Sequence, residues 1–434
     1  MNIVIPKPVN EILNILYENN YDGYLVGGTI RNMVLGEKPK KYNISTNASI
    51  DSLRKILKNY ETSLCGENNR TLSIANNKFP MEITPYGTKE NTLESYLKTK
   101  DFTMNALAYS DEDGLVDYAT GIIDIKNDII KLNGEDDENL KTDPLRILRA
   151  IRLSGEYKMR IDPQTIEYMF DNKELLKNVA SERVRDELCK ILSIEKCSFY
   201  LKKYLDIFLV VIPELTLMEN FNQNNPYHIY DVLEHTFVAL KNSENNLNVR
   251  LVLLFHDIAK PLTYIQDKSG IGHFPNHEKK GADMTREILN RLKFNKRTIQ
   301  IVTKVIEYHD TDFPIKENNL KQFLAKFNTE ELEVLFKAKK ADTLGKNPAF
   351  MSEYNKIDND YERVKNILKQ KECIKKNELR ISGKELLNLG VPQEDIGKNL
   401  DLIYSAVLNN ELKNDKDVLV SYAVKNILPS TYDE

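Results

Sequence analysis

The apolar period of this chain changes once, and that change requires a two-part fold. Up to about residue 110 the apolar residues fall in short strand-like runs, "YLVGG", "TLSIAN", "MEITPYG" and "MNALAYS". Helical patterns in "VNEILNILYENN" and from Thr29 onward interrupt them. After "GLVDYATGIIDIKNDIIKLNG" the repeat becomes that of a helix and stays so almost to the end, through "DPLRILRAIRLSGEY", "SERVRDELCKIL", "IYDVLEHTFVALKN", "VRLVLLFHDIAK", "GADMTREILNRL" and "TIQIVTKVIEYHD". The expected fold class is α+β, a small mixed α/β head followed by a long all-α body. At 434 residues the chain exceeds one typical domain. Polar stretches at Asn220 to Asn225 and Gln370 to Asn377 mark module boundaries. The expected division is 1–125, 126–220, 221–330 and 331–434.

Composition excludes more than it identifies. No apolar run approaches the roughly 20 residues that cross a bilayer, so no membrane partner is expected. The start lacks the pattern of a secretory signal, and a cytoplasmic location is expected. Cys65, Cys189, Cys197 and Cys373 form no CxxC pair and read as reduced thiols rather than a disulfide framework or a zinc site. The net charge of −4 gives no global attraction to nucleic acid, although lysines can still gather on one face.

In "YLVGGTIRNMVLG" a strand runs into two glycines and then a helix carrying Arg31. Gly27 and Gly28 would let the backbone approach a phosphate. Alone, such a corner is more often just a tight turn. The order of Gly27-Gly28, Arg31, Leu35-Gly36, "KKYNIST", "KDFTMNALAY", "DPLRILRAIR" and "SERVRDEL" resembles the CCA-adding tRNA nucleotidyltransferase and bacterial poly(A) polymerase family. The resemblance implies a nucleotidyltransferase head, a nucleotide-selecting neck, and a helical body and tail that hold the 3′ end of tRNA or another RNA. It implies ATP or CTP at the head, met by Gly27, Gly28, Arg31, Asp101, Asn105, Asp143, Arg146 and Arg149. For Arg149 and Arg152 a plain helix-surface role is an equal alternative.

The same resemblance exposes a departure. The family reads Asp-x-Asp after the Leu-Gly, two carboxylates that bind magnesium, and the matching residues here are Lys41 and Asn43. An ammonium at a metal site repels the ion. Glu82 in "MEITPYG" matches the third acidic position only loosely, so the head is expected not to polymerise. Lys41 either pairs with Glu82 or points to solvent. Asn32, Lys100 and Thr142 also replace family residues, an aspartate, an arginine and a glutamate.

All six histidines lie between His228 and His309. The His256-Asp257 doublet interrupts the apolar run "RLVLLF", where an unpaired charge would be costly to bury. A divalent metal, Mn, Mg, Fe or Zn, held by His235, His256, Asp257 and Asp310 would compensate it. These segments are similar to the HD-superfamily phosphohydrolases. The similarity implies metal-activated water attacking a phosphomonoester or a 2′,3′-cyclic phosphate, with His256, Asp257, Lys260 and His277 as catalytic residues. His228, His273 and His309 are expected to be ordinary structural histidines. The tail "LRISGKELLNLGVPQEDIGKNLDLIYSAVLNNELKND" resembles the family's C-terminal helices, with Lys384 the nearest candidate for an RNA phosphate. Two rival readings stay open: an active nucleotidyltransferase that takes metal on Asp51 or Glu82, and a non-catalytic tRNA- or nucleotide-binding protein.

Overall fold

The structure is a computed structural model that describes residues 3–66, 70–87, 90–134, 137–350, 352–369 and 375–428. Cys373 and part of the 370–377 boundary lie outside the described residues. Contacts divide the chain into two compact units, Met1–Pro213 and Glu214–Glu434.

The first unit is built on a seven-stranded sheet. Its strands are β1 (Tyr24–Val26), β2 (Tyr42–Thr46), β3 (Thr62–Cys65), β4 (Thr71–Ile74), β5 (Met81–Pro85), β6 (Leu107–Ser110) and β7 (Gly114–Asp117), in the order β3-β4-β5-β2-β1-β6-β7. Within this sheet, among the described residues, only β2 and β5 run parallel, and their register sets Asn43 opposite Glu82. The "TLSI" of β4 alternates as a half-buried strand should, with Leu72 and Ile74 inward. Helix Lys7–Glu18 turns Val9, Ile12, Leu13 and Leu16, one helical face, into the core. Beyond the sheet, helix Arg146–Tyr157 packs on helix Ser181–Leu192. Arg152 joins them, its Nε 2.6 Å from the buried Glu187 carboxylate, so its role is an interhelical tie rather than a plain surface one.

The second unit is helical. Helix Leu247–Phe255 is buried from Val249 to Phe255, as an all-round apolar sequence requires, and helices Val232–Lys241, Lys296–Tyr308 and Thr329–Thr343 pack around it. The polar residue before each helix caps it: Asp231, Asn246, Asn295 and Asn328 each accept a bond from a first-turn amide. Thr329–Thr343, at the boundary expected near residue 330, packs on Leu247–Phe255 beside the histidines. The last helices keep a separate core of Ile381, Leu386, Val391, Ile403, Val407 and Leu419. Among the described residues no helix is long and apolar enough to cross a membrane.

Candidate functional site

The central helix ends at Phe255, and the next two residues are His256 and Asp257, each 1% exposed. Around them the bundle brings His235 from helix Val232–Lys241, His277 from the first position of helix His277–Arg291, and His309 from just past helix Lys296–Tyr308. Asn276 takes a left-handed conformation, φ 58°, that turns the chain into the His277 helix. Asp342 enters from the last turn of Thr329–Thr343.

The rings are aimed by the main chain. The Nδ1 atoms of His256, His277 and His309 lie 2.8, 2.8 and 2.7 Å from the carbonyls of Leu253, Phe274 and Ile306. That of His235 lies 3.1 Å from the carbonyl of Gly345. A carbonyl only accepts, so Nδ1 carries a proton and each ring presents its Nε2 inward, as a lone pair to a metal ion or as an N–H to a carboxylate. The Nε2 atoms of His235 and His256 are 3.3 Å apart. Asp342 Oδ1 lies 2.8 Å from the first and 3.3 Å from the second. Asp257 Oδ2 lies 3.6 and 3.2 Å from the same two atoms. Its other oxygen, Oδ1, is 3.6 Å from the Nε2 atoms of both His277 and His309.

Two lone pairs facing each other beside two carboxylates demand a cation. Both oxygens of Asp257 and Nε2 of His277 are buried without a hydrogen-bond partner of good geometry. The residues therefore fit a divalent metal in two adjoining sets, His235, His256 and Asp257, and Asp257, His277 and His309. The protonation balance says the same. Burial pulls the His256 imidazole down, yet Asp257 and Asp342 outweigh it and push its pKa up to about 10. Burial would raise both carboxyls, but the cations beside them hold Asp257 and Asp342 well below the usual range. Burial lowers the pKa of His277.

Lys260, expected to meet a phosphate, puts its Nζ 2.7 Å from Asp257 Oδ2 and 2.9 Å from Gln223 Oε1, inside the wall of a cavity of about 470 Å³. Lys339, Lys346 and Lys356 and the rings of Phe274 and Phe313 line the same cavity. Asp310 is exposed on that wall, and the carboxylate that meets His235 and His256 is Asp342. Of the second His-Asp doublet only His309, expected to be structural, turns inward. His228 is half-buried 3.5 Å from Lys260, and His273 is an exposed partner of Asp267. Asp342 gives a weak sequence signal: a lone acid in the apolar register of "EVLFKAKKADTLG".

The first unit carries a second pocket, of about 370 Å³, at the end of β1. Gly27, φ 62° and ψ −131°, makes the turn in a conformation that favours glycine, and Gly28 opens the short helix. Arg31 is held by Asn105 Oδ1 at 2.7 Å, Asn32 Oδ1 at 2.9 Å and Tyr157 Oη at 2.6 Å. Asn105 in turn donates to Asp101 at 2.8 Å. Arg149 lies 3.4 Å from Asp143 and 3.7 Å from Asp101. Arg146 spends its terminal nitrogens on the carbonyls of Thr99 and Lys100. Gly27, Gly28, Arg31, Asp101, Asn105, Arg146 and Arg149 thus share one pocket, while Asp143 reaches it only through Arg149. Lys41 Nζ lies 2.6 Å from Glu82 Oε2, resolving the two alternatives left for it in favour of the ion pair. Asp51 is exposed in the first turn of helix Ile50–Ile56.

Three families match segments of the chain in order. A "Poly A polymerase head domain" matches residues 23–131, a "Probable RNA and SrmB- binding site of polymerase A" residues 158–218, and a tRNA nucleotidyltransferase domain 2 residues 279–423. Poly(A) polymerase I of Salmonella typhi is 28% identical over 331 residues, 67% of this chain and 70% of that one. A CCA-adding enzyme of Ligilactobacillus salivarius is 24% identical over 96% of both chains. The structure of the Bacillus stearothermophilus CCA-adding enzyme in complex with CTP superposes with a TM-score of 0.67 over 98% of both chains, at 21% identity, a likeness of fold.

Proposed function

The chain belongs to the CCA-adding and poly(A) polymerase family, and we propose that it binds the 3′ end of tRNA or a similar RNA and hydrolyses phosphate there instead of adding nucleotides. The observation that carries this reading is the convergence of four Nε2 lone pairs, fixed by main-chain carbonyls, on the buried carboxylates Asp257 and Asp342. A divalent ion bound there would supply Lewis acidity and a water acidic enough to attack phosphorus near neutral pH. The chain's own residues do the rest. The four imidazoles and Asp257 hold the ligand geometry, with their second nitrogens tied down so that no ring can rotate. Lys260 keeps Asp257 ionised, and the cavity lysines attract a phosphate ester while Phe274 and Phe313 cover apolar wall.

The substrate class is a phosphomonoester or a 2′,3′-cyclic phosphodiester at an RNA end. The head, 1–125, and neck, 126–220, would serve as the nucleotide- and RNA-binding part, with ATP or CTP in the pocket at the end of β1. Nucleotide addition is disfavoured because Glu82, one carboxylate, is already paired with an ammonium.

The test is a paired assay on one preparation. Hydrolysis of 2′,3′-cyclic AMP or bis-p-nitrophenyl phosphate in manganese is expected, lost in His256→Ala, with no incorporation of labelled CTP or ATP into a tRNA lacking its terminus. Incorporation abolished by Glu82→Gln but kept in His256→Ala would overturn the reading. A protein that neither hydrolyses nor binds metal would make it a non-catalytic binder.

A further inference from the structure

We propose that the pocket at the end of β1 takes its nucleoside triphosphate without any divalent ion, Lys41 acting as the resident counter-cation. This rests on the reading that the pocket holds a nucleotide and deepens it. The family to which the chain belongs implies magnesium at this place, and the residues present do not fit magnesium. The pair of positions that would hold it, Lys41 and Asn43, offers an amine and an amide, and the remaining carboxylate, Glu82, already sits 2.6 Å from the Lys41 ammonium. One neutral amide oxygen does not replace two carboxylates as ligands for a hard divalent ion, and an ammonium beside it repels the ion.

What the geometry offers is a site for the anion alone. Four cations, Arg31, Lys100, Arg146 and Arg149, line the pocket against one carboxylate, Asp101, and the Lys41–Glu82 pair beside it adds no net charge. The excess is positive where a site that relies on metal would be negative. Arg146 is 8% exposed, and its Nε–H is buried without an acceptor although both terminal nitrogens are satisfied. A native structure rarely leaves such a donor empty. Lys100 lies 3.8 Å above the Tyr96 ring, and among the described residues no carboxylate pairs with it at the pocket edge.

The main chain at Lys41 is fixed. Thr29 Oγ1 accepts the Asn43 amide at 2.7 Å and donates to the Lys41 carbonyl at 3.2 Å, fixing the entry of β2 against the glycine helix. Asn43 lines the pocket, and Lys41 lies two residues earlier, immediately before β2, in the same alternating register. The Lys41 side chain keeps 45% of its surface exposed, so its ammonium is open to a phosphate that would share it with Glu82.

Calorimetric titration of the full-length protein with ATP and CTP, in EDTA and again in excess magnesium, tests this. The expected result is binding in EDTA at least as tight as in magnesium. Lys41→Gln should weaken triphosphate binding in EDTA by about tenfold, the loss of one charge-assisted contact, while leaving cytidine and adenosine unchanged. Lys41→Asp combined with Asn43→Asp should reverse the ion dependence, binding triphosphate only when magnesium is present. Thermal melting of each variant separates a lost contact from a lost fold. Wild-type binding that requires magnesium overturns the inference but leaves the nucleotide reading standing. No binding of either nucleotide under either condition overturns the reading itself, and the inference with it.

Discussion

His277 and His309 reach the same oxygen of Asp257, each Nε2 lying 3.6 Å from Oδ1, while the other oxygen faces His235 and His256. One carboxylate therefore stands between two pairs of imidazoles. Asp257→Asn keeps the shape and removes the charge that both pairs share. We predict that it releases bound metal and lowers hydrolysis by roughly 100-fold or more, since ligands matter more than the outer groups whose loss typically costs 10- to 100-fold. Metal analysis of the dialysed variant beside a phosphodiester assay checks both. Full metal content in Asp257→Asn would refute the assignment.

Asp342 and Asp310 give a sharper contrast. Asp342 Oδ1 is 2.8 Å from His235 Nε2, whereas Asp310 is exposed on the cavity wall. Asp342→Ala is predicted to cost roughly 100-fold in hydrolysis and to reduce metal content, and Asp310→Ala to change activity by less than about threefold. Equal losses in the two variants would return the fourth ligand to the position that the sequence suggested.

That contrast also indicates what the sequence could disclose. The doublet His256-Asp257 was legible because a polar pair directly after "RLVLLF" interrupts an apolar run, and burial is what the structure reports for it. Asp310 was suggested by the distant Asp of the HD pattern, but it and His309 both lie past the helix end at Tyr308, and of the two only His309 turns toward Asp257 while Asp310 is exposed. Asp342 is contributed by helix packing across more than 80 residues of chain from Asp257, which no local period encodes. In the first unit the alternating runs that became β1, β4, β5 and β6 were readable. β3 was not, because "TSLC" is half-exposed and alternates nothing, and β2 was masked by the polar residues of "YNIST" that the sheet buries. Lys41 could be seen as the loss of a metal ligand, but its pairing with Glu82 depends on the parallel register of β2 and β5.

Gly345 tests how closely the ring of His235 is held. A Cβ on this residue would lie 2.9 Å from His235 Nδ1, the atom that bonds the Gly345 carbonyl. Gly345→Ala must tilt the ring or displace the loop after Thr329–Thr343. Metal affinity is predicted to fall about 10- to 100-fold with the protein still folded, as for other losses of an orienting partner. Titration with manganese, read by competition with a chelating dye, measures it, and wild-type affinity in the alanine variant would show that the contact relaxes harmlessly.

Chelation should unsettle the second unit and spare the first. Without a cation, the Nε2 atoms of His235 and His256 face each other at 3.3 Å beside two buried carboxylates, and a proton must take the ion's place at some cost. An ion present at a hundred times its dissociation constant stabilises the folded unit by about 2.7 kcal/mol. For a unit of this size that corresponds to a fall of roughly 5–10 °C on adding EDTA. Because the ligands all lie beyond Pro213, the transition of the sheet unit should not move. Asp257→Asn, already unable to load, should melt at the same temperature with and without EDTA. Scanning calorimetry of the wild type in manganese and in EDTA decides the matter, and a second-unit transition that ignores the chelator would mean that protons alone satisfy the cluster.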